Sequence, residues 1–271
     1  MAREISVARE LDQFYTHPGV AADLVKRLLT HLGPKPDAIW LEPSAGGGAF
    51  LDHLPQPRIG LDIAPPPGRA DISQGNFLRF SPETGIGSYI AVGNPPFGRN
   101  SSLALRFLNH AAGFCGTIAF VLPRTFEKLS LQNRVDPHLH LSHQEAVPRD
   151  AFLLEGAVRD VPTVFQIWER RAEKRLPQTA ALSHPHFSFV RDPGQADFAL
   201  QRVGVRAGRV SREGLTRSPQ SHYFIAVRDH SRDVQGVLER IDWSATARRT
   251  AGTPSLARSE LVAAYTERAA A

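Results

Sequence analysis

The sequence predicts an α/β chain, with a mostly parallel sheet covered by helices and a smaller α+β region after it. Three observations carry this. Over the first 170 or so of the 271 residues, short apolar runs alternate with segments of helical spacing, the pattern of a parallel sheet with crossover helices. Several of those runs stop at glycine, proline or an acid, as strands do at a ligand-binding edge. After Ala181 the pattern becomes β-rich and is broken by Gly and Pro.

The elements follow in order. Val20 to Leu32 carries Val20, Leu24, Leu28, Leu29 and Leu32 at helical spacing. Ala38-Ile39-Trp40 reads as a strand, and Leu41-Glu42-Pro43-Ser44-Ala45-Gly46-Gly47-Gly48-Ala49-Phe50 as a glycine turn leading into a helix. Arg58 to Ile63 is a second short strand, ending at Asp62. Tyr89-Ile90-Ala91-Val92 is a third, and Asn94-Pro95-Pro96-Phe97 stops it, because proline removes a backbone donor and fixes φ. Leu103 to Ala112 reads as a helix and Thr117 to Leu122 as a strand that ends at Pro123-Arg124. Leu139 to Val147 and Val161 to Trp168 are further strands, and Glu169 to Ala181, charged and aperiodic, is a linker. Beyond it come strands at Phe187 to Val190, Phe198 to Val205 and Tyr223 to Val227, then helices at Val234 to Ile241 and Ser259 to Ala270. The expected division is a catalytic domain over 1–172, a linker over 173–182 and a basic domain over 183–271.

Three stations carry chemistry. At the end of the third strand, the Asn94 oxygen and the Pro95 carbonyl can accept both N–H bonds of a planar amine, and Phe97 can stack on its ring. The glycine turn is not a dinucleotide fingerprint, since Leu51 stands where a third glycine is needed, and no Lys-Ser/Thr pair makes it a P-loop. Such a turn, led by Glu42, suits a zwitterionic amino acid, whose ammonium Glu42 can meet through water or a backbone group. Asp62 ends the second strand, where an acid binds ribose hydroxyls; a helix cap or solvated loop acid is its alternative.

On these residues the chain resembles the S-adenosylmethionine-dependent amino-methyltransferases that methylate the exocyclic amine of adenine, in the gamma-type motif order. The likeness covers roughly residues 9 to 170. It implies a Rossmann-like methyltransferase sheet, mostly parallel with its last strand (Val164 to Trp168) antiparallel, plus a small C-terminal α+β domain. Leu11 to Pro18, with Phe14, Tyr15 and Thr16, matches the family's leading cofactor motif, and Glu42, Ser44, Gly46, Gly48 and Phe50 match its glycine loop. Asp62 matches the ribose acid, and Asn94, Pro95, Pro96 and Phe97 match the catalytic tetrapeptide. Asn76-Phe77 stands where the family has Asp-Phe, so an amide oxygen replaces a carboxylate as acceptor for the cofactor's adenine amine. Phe77 either packs on that adenine or fills the core. Phe152 is the candidate for the aromatic that helps hold a flipped base, or else a core residue at a strand end.

Charge is uneven. Residues 1–170 carry a net −1 and residues 171–271 a net +6, and Arg supplies 28 of the 32 basic residues. A polyanionic partner suits this, as does a coding bias towards Arg and Ala. Arg202, Arg206 and Arg209 are the nucleic-acid candidates, beside Arg212 and Arg217 and interleaved with Gly204 and Gly208. The one cysteine, Cys115, precludes a disulfide within the chain and cysteine-based zinc ligation and reads as packing. His138, His140 and His143, and His184 with His186, lack partners for a tetrahedral set, so no metal is expected. The absence of a long apolar run or leading signal region points to the cytoplasm.

The expected reaction is methylation of adenine N6 in DNA, on a base that is flipped or single-stranded. The same reaction on RNA, methylation of a protein glutamine and a non-catalytic nucleic-acid-binding module are the alternatives. The glutamine enzymes usually carry Tyr where this chain has Phe97 and do not need a basic second domain.

Overall fold

The computed structural model describes residues 15–82, 89–154, 157–250 and 253–270. The chain divides into two compact units, Met1–Pro177 and Gln178–Ala271.

In the first unit, β1 (Tyr15–Thr16) leads into α1 (Pro18–Leu32), with Pro18 in the first helical turn, where its missing N–H costs nothing. There follow β2 (Ile39–Glu42), β3 (Arg58–Asp62), β4 (Ile72–Gln74), β5 (Tyr89–Gly93), α2 (Ser102–Ala111), β6 (Cys115–Pro123), a single turn α3 (Leu129–Gln132), β7 (Leu139–Ala146), β8 (Phe152–Leu154), β9 (Ala157–Arg159) and β10 (Thr163–Arg170). The seven-stranded sheet has the order β4-β3-β2-β5-β6-β10-β7. The β2–β3, β3–β4, β2–β5 and β5–β6 pairs are parallel, and β10 alone runs antiparallel to both its neighbours. This is a Rossmann-like sheet, mostly parallel, and β10 holds the antiparallel strand placed at Val164 to Trp168 from the sequence.

Period-two alternation sorts the strands onto two cores. Ala91, Ile118, Phe120, Leu122, Val164 and Trp168 face α2 through Ala104, Leu108 and Ala111. The intervening residues Ile90, Val92, Ala119, Val121, Phe165 and Ile167 pack with Leu24, Val25 and Leu28 of α1. Burial on both faces is why β5 and β6 read as continuous apolar runs. Cys115 is fully buried in the first core, and burial pushes its thiol pKa up.

One expectation fails locally. The glycine turn does not enter a helix: only a 3₁₀ turn, Leu51–His53, forms. Pro55 and Pro57 follow at once, and residues before proline are driven out of helical geometry. A small sheet also went unread. β1, β8 and β9 pair antiparallel, with Tyr15 opposite Leu153; strands of two and three residues are too short to show a period.

The second unit is a four-stranded antiparallel sheet, order β11-β14-β12-β13, made of β11 (Phe187–Val190), β12 (Phe198–Gln201), β13 (Val210–Ser211) and β14 (His222–Val227). Helices α4 (Val234–Glu239), α5 (Ser244–Ala247) and α6 (Arg258–Ala270) follow it. Phe187, Phe198, Ile225, Leu238, Leu261 and Tyr265 form its own core.

On β10, Gln166 is fully buried but satisfied: its amide donates to the Phe126 carbonyl (3.1 Å) and to Gln144 Oε1 (2.7 Å), and its oxygen accepts from Trp168 Nε1 (3.0 Å). Gln166→Leu should therefore destabilise the first unit by about 1–3 kcal/mol, because it strands the Trp168 N–H in the core. Urea denaturation followed through tryptophan fluorescence measures this, and an unchanged midpoint would refute it.

Candidate active site

The carboxyl ends of β2, β3 and β5 meet at one cavity of about 730 Å³. Glu42, Ser44, Gly46, Phe50, Asp62, Asn76, Phe77, Asn94, Pro95, Pro96 and Phe97 line it, and Tyr15, Thr16 and Leu153 of the small sheet add to its wall. Two sequence candidates are not in this wall, Gly48 and Phe152; a third, Phe14, lies outside the described residues.

Asp62 organises the edge. Its Oδ2 accepts from the Gly46 N–H (2.7 Å) and its Oδ1 from the Ala64 N–H (2.9 Å), while its carbonyl accepts from the Gly75 N–H (2.7 Å). The Ala45 N–H donates to the Leu61 carbonyl at 2.9 Å, so the glycine loop is held to β3 twice. Gly46 is left-handed (φ +49°), and a Cβ there would lie 2.8 Å from the Tyr15 ring. The glycine is what lets that aromatic lie over the loop. The Tyr15 pKa is raised by burial and by the negative Asp62.

Gly48 does other work. At φ +83°, a Cβ would collide with the Arg69 guanidinium. Arg69 bridges Asp52 (2.7 Å) and Asp71 (2.8 Å) and donates to the Gly47 carbonyl. Gly48 thus makes room for a clamp behind the loop.

Glu42 is only 2 % exposed. Its Oε2 accepts from the Leu51 N–H at 2.7 Å, and the Phe50 N–H also bonds it. It thereby satisfies donors that the truncated helical turn leaves open. Burial raises its pKa well above the ordinary 4.5, against the lowering effect of those N–H groups.

The Ser44 hydroxyl ties the glycine loop to the Asn94 tetrapeptide by donating to the Asn94 carbonyl (3.1 Å). Beyond it, the Phe97 carbonyl accepts from Leu103 and Ala104 N–H groups (both 3.2 Å) and so caps α2. Phe97 is 9 % exposed and packs in the core as well as lining the cavity. The turn after it contains two consecutive left-handed residues that are not glycine, Asn100 (φ 54°) and Ser101 (φ 62°). Such residues cost about 1–3 kcal/mol each and persist where surroundings over-determine them. Buried Ser101 is fixed by a 2.7 Å hydroxyl contact to Thr125. Asn100 is a residue type that tolerates this conformation; Ser101 gives no such signal, and the sequence reading missed it.

Asn76 caps the 3₁₀ turn Phe77–Arg79 by accepting from the Leu78 N–H at 3.0 Å. Phe77 is 1 % exposed and sits among Phe107, His110 and Phe114, so it fills the core beneath the cavity. Phe152 is fully buried against the α1 core. It offers no exposed ring face to a base, and of its two readings this burial matches a core residue at a strand end.

Thr16 bears on what the cavity can hold. Its hydroxyl is buried at the cavity wall and has no hydrogen-bond partner among the described residues. An orphan hydroxyl, the glycine cradle under Tyr15, and Asp62 at the edge suit a ligand with polar groups at several points. Volume fits too, since 730 Å³ is in the upper range of small-molecule sites.

The histidines in and just before β7 have separate partners: His138 contacts Asp136 (3.2 Å), His140 the Glu173 carbonyl (2.9 Å) and His143 Glu145 (3.6 Å). Among the described residues, no group of three or more His, Cys, Asp or Glu is placed to hold a metal ion. Among the same residues no helix is long and apolar enough to cross a membrane. In the second unit, Arg206 and Arg209 are exposed on the turn between β12 and β13, and the Arg202 guanidinium lies 4.8 Å from the Tyr223 ring centroid.

No protein-family model and no curated protein matches the chain. Solved structures similar to it include a candidate RNA methyltransferase of Pyrococcus horikoshii, 15% identical over 59% of this chain and 87% of that one, with a TM-score of 0.45. A type I restriction-modification methyltransferase subunit of Streptococcus thermophilus is 16% identical over 59% of this chain, with a TM-score of 0.44, and this chain spans 46% of that subunit. The 23S rRNA methyltransferase ErmE is 20% identical over 62% of this chain and 73% of its own, with a TM-score of 0.41. Likenesses this distant assign neither reaction nor substrate.

The buried Glu42 gives a pH-dependent prediction. A raised pKa means the folded chain holds this proton more tightly than the unfolded chain does. Wild-type stability should therefore fall as pH rises from about 4.5 towards the folded value. Glu42→Gln has no proton to lose there. Its melting temperature relative to wild type should rise as pH is raised above about 4.5 and level off once the folded pKa is passed, and a pH-independent difference would contradict the assignment.

Proposed function

We propose that the chain binds S-adenosylmethionine in this cavity and methylates the exocyclic N6 amine of adenine in DNA. One observation carries the reading. Tyr15 and Thr16, the Glu42–Phe50 loop, Asp62, Asn76 and the Asn94–Phe97 tetrapeptide, scattered over 83 positions, line a single cavity at the carboxyl edge of the sheet.

Each residue has work to do. Thr16 and the loop at Ser44 and Gly46 would take the amino-acid end of the cofactor, Asp62 the ribose, and Asn76 with Leu78 the adenine. Glu42 acts through the loop: it holds the backbone at Phe50 and Leu51, and its buried carboxyl favours a nearby positive charge. When bound, S-adenosylmethionine supplies a methyl group already activated by its sulfonium. The lone pair of the target amine is delocalised into the purine ring, which makes it a weak nucleophile. The Asn94 side-chain oxygen and the Pro95 carbonyl accept its two N–H bonds, draw the nitrogen towards tetrahedral geometry and favour the positive charge that develops on it. Two prolines and the Ser44 hydroxyl keep these acceptors fixed, so little reorganisation is needed. The amine's proton then leaves to water.

A base inside a duplex cannot reach such a cavity, so the target is flipped out or single-stranded. Phe97 packs against it at the cavity wall. The second unit, with Arg202, Arg206 and Arg209, is the target-recognition domain. Arg106 of α2, an exposed cation at the cavity wall, adds positive charge beside the tetrapeptide.

Two variants test the parts separately. Asp62→Asn keeps the shape but loses the charge and one acceptor. It should weaken S-adenosylmethionine by about 10-fold or more in calorimetry, the effect of roughly 1.5–3 kcal/mol for a charged hydrogen bond. Unchanged affinity would remove Asp62 from the site.

Asn94→Ala should bind the cofactor normally yet lose about 10²–10³ in single-turnover methyl transfer, as for removal of one preorganised polar contact. The substrates are adenine-containing DNA, with RNA and a glutamine peptide as comparison arms and nucleoside analysis as readout. Full activity in Asn94→Ala would overturn the catalytic assignment, and transfer confined to RNA or peptide would overturn DNA as substrate.

A further inference from the structure

We propose that Arg202 and Arg258, stacked on the Phe189–Tyr223 aromatic pair, form a preorganised clasp for the phosphodiester backbone of a nucleic-acid strand. The inference takes its substrate class from the nucleic-acid reading above and adds a second binding site, in the other unit.

Phe189 on β11 and Tyr223 on β14 meet at 5.2 Å between ring centroids, on adjacent strands of the antiparallel sheet. The Arg202 guanidinium lies 4.8 Å from the Tyr223 centroid; that of Arg258 lies 4.9 Å from Phe189 and 5.7 Å from Tyr223. Neither arginine takes part in an ion pair or side-chain hydrogen bond among the described residues, and the Arg202 Nε is buried without a partner. The two cations are held by rings and, among the described residues, neither is in an ion pair with an acid.

The support is rigid. Arg202 donates its backbone N–H to the Ser221 carbonyl and accepts from the Leu256 N–H, both at 2.8 Å. The Tyr223 hydroxyl donates to the Leu256 carbonyl at 3.0 Å, fixing the ring that both guanidiniums approach. A planar guanidinium stacked on an aromatic still presents its N–H edge, and that edge matches a phosphate.

Arg258 also sits where its own helix does not want it. It opens α6, and a cation at a helix N-terminus opposes the helix dipole. The acid in that turn, Glu260, turns one carboxylate oxygen onto the Ala257 N–H (2.7 Å). The pair thus keeps a surplus positive charge near Tyr223. Arg206 and Arg209, by contrast, are exposed, and among the described residues no aromatic ring lies under either guanidinium. Phosphodiester and not free phosphate is the ligand, because two cations seated over neighbouring rings can each meet a successive phosphate of one strand.

The test is fluorescence anisotropy of labelled single-stranded and duplex oligonucleotides with the full chain, from 50 to 300 mM salt. Arg202→Ala/Arg258→Ala should lower the slope of log affinity on log salt by about 1.4 for a single strand or about 1.8 for duplex DNA, two phosphate contacts in either case. Arg206→Ala/Arg209→Ala removes the same charge from unsupported positions and should lose less. Arg202→Lys/Arg258→Lys keeps the charge but not the planar fork and should fall between. Calorimetry with S-adenosylmethionine and the melting temperature check the fold. Should the double alanine variant fail to fold, Arg258→Ala alone, at an exposed position, should still lose about half of that slope.

Wild-type binding by the first double variant at every salt, or equal losses in both double alanine variants, overturns the clasp. So does displacement of the oligonucleotide by millimolar pyrophosphate at constant ionic strength, which would make it a small-anion site. If the clasp fails while Asn94→Ala still abolishes transfer, the methyltransferase reading stands. If wild type binds no oligonucleotide at all, the nucleic-acid reading fails with it.

Discussion

Asp62 ties together the segments on which the cavity depends. Its two carboxylate oxygens each accept a backbone N–H, from Gly46 and from Ala64, and its carbonyl accepts a third, from Gly75. The glycine loop after β2, the turn after β3 and the approach to Asn76 therefore share one anchor. A carboxylate accepting two N–H bonds keeps lone pairs free, so the group that fixes the edge still faces the cavity it shapes. The two roles cannot be separated by a crude deletion, which is why a conservative amide is the informative substitution there.

Around that anchor the chain accepts local costs. Glu42 is a buried carboxyl with a raised pKa, and Asn100 and Ser101 are consecutively left-handed. Each is held by specific partners: Glu42 by the Phe50 and Leu51 N–H groups, Ser101 by Thr125. Unfavourable conformations and a buried ionisable group collect at the carboxyl ends of β2 and β5, while the strands behind them are ordinary buried apolar residues. That distribution is the one expected when a stable sheet supports a site it would not need for folding alone.

Much of this was legible in the sequence, for definite reasons. β5 and β6 are buried on both faces, so they appear as unbroken apolar runs, and proline marks where each stops. The antiparallel β10 could be placed because the family resemblance implies such a last strand and Val164 to Trp168 was the natural candidate for it. The glycine loop, Asp62 and the tetrapeptide were visible because each needs special residue types. What escaped was set by tertiary context. The two- and three-residue strands of the Tyr15 sheet carry no period. Arg69, which explains Gly48, reaches it from 21 positions away, and nothing local announces that contact. Phe152 could be read as ligand-facing or core, because an aromatic at a strand end looks the same in either case, and its burial matches the core reading; Phe77 is both buried and in the cavity wall.

The same distinction applies to the arginines of the second unit. Composition singles out Arg202, Arg206 and Arg209 equally, as neighbours in a basic stretch. The fold does not treat them equally. Arg202 is fixed by two backbone hydrogen bonds and a ring, and it gains Arg258, which lies 56 positions away and belongs to no basic run. A side chain that is already ordered gives up less rotamer entropy on meeting an anion than one extended in solvent, and for arginine that entropy amounts to about 2 kcal/mol. Charge density along a sequence says that a polyanion is attracted. Which cations hold it is decided by what packs beneath them, and here that is the Phe189–Tyr223 pair.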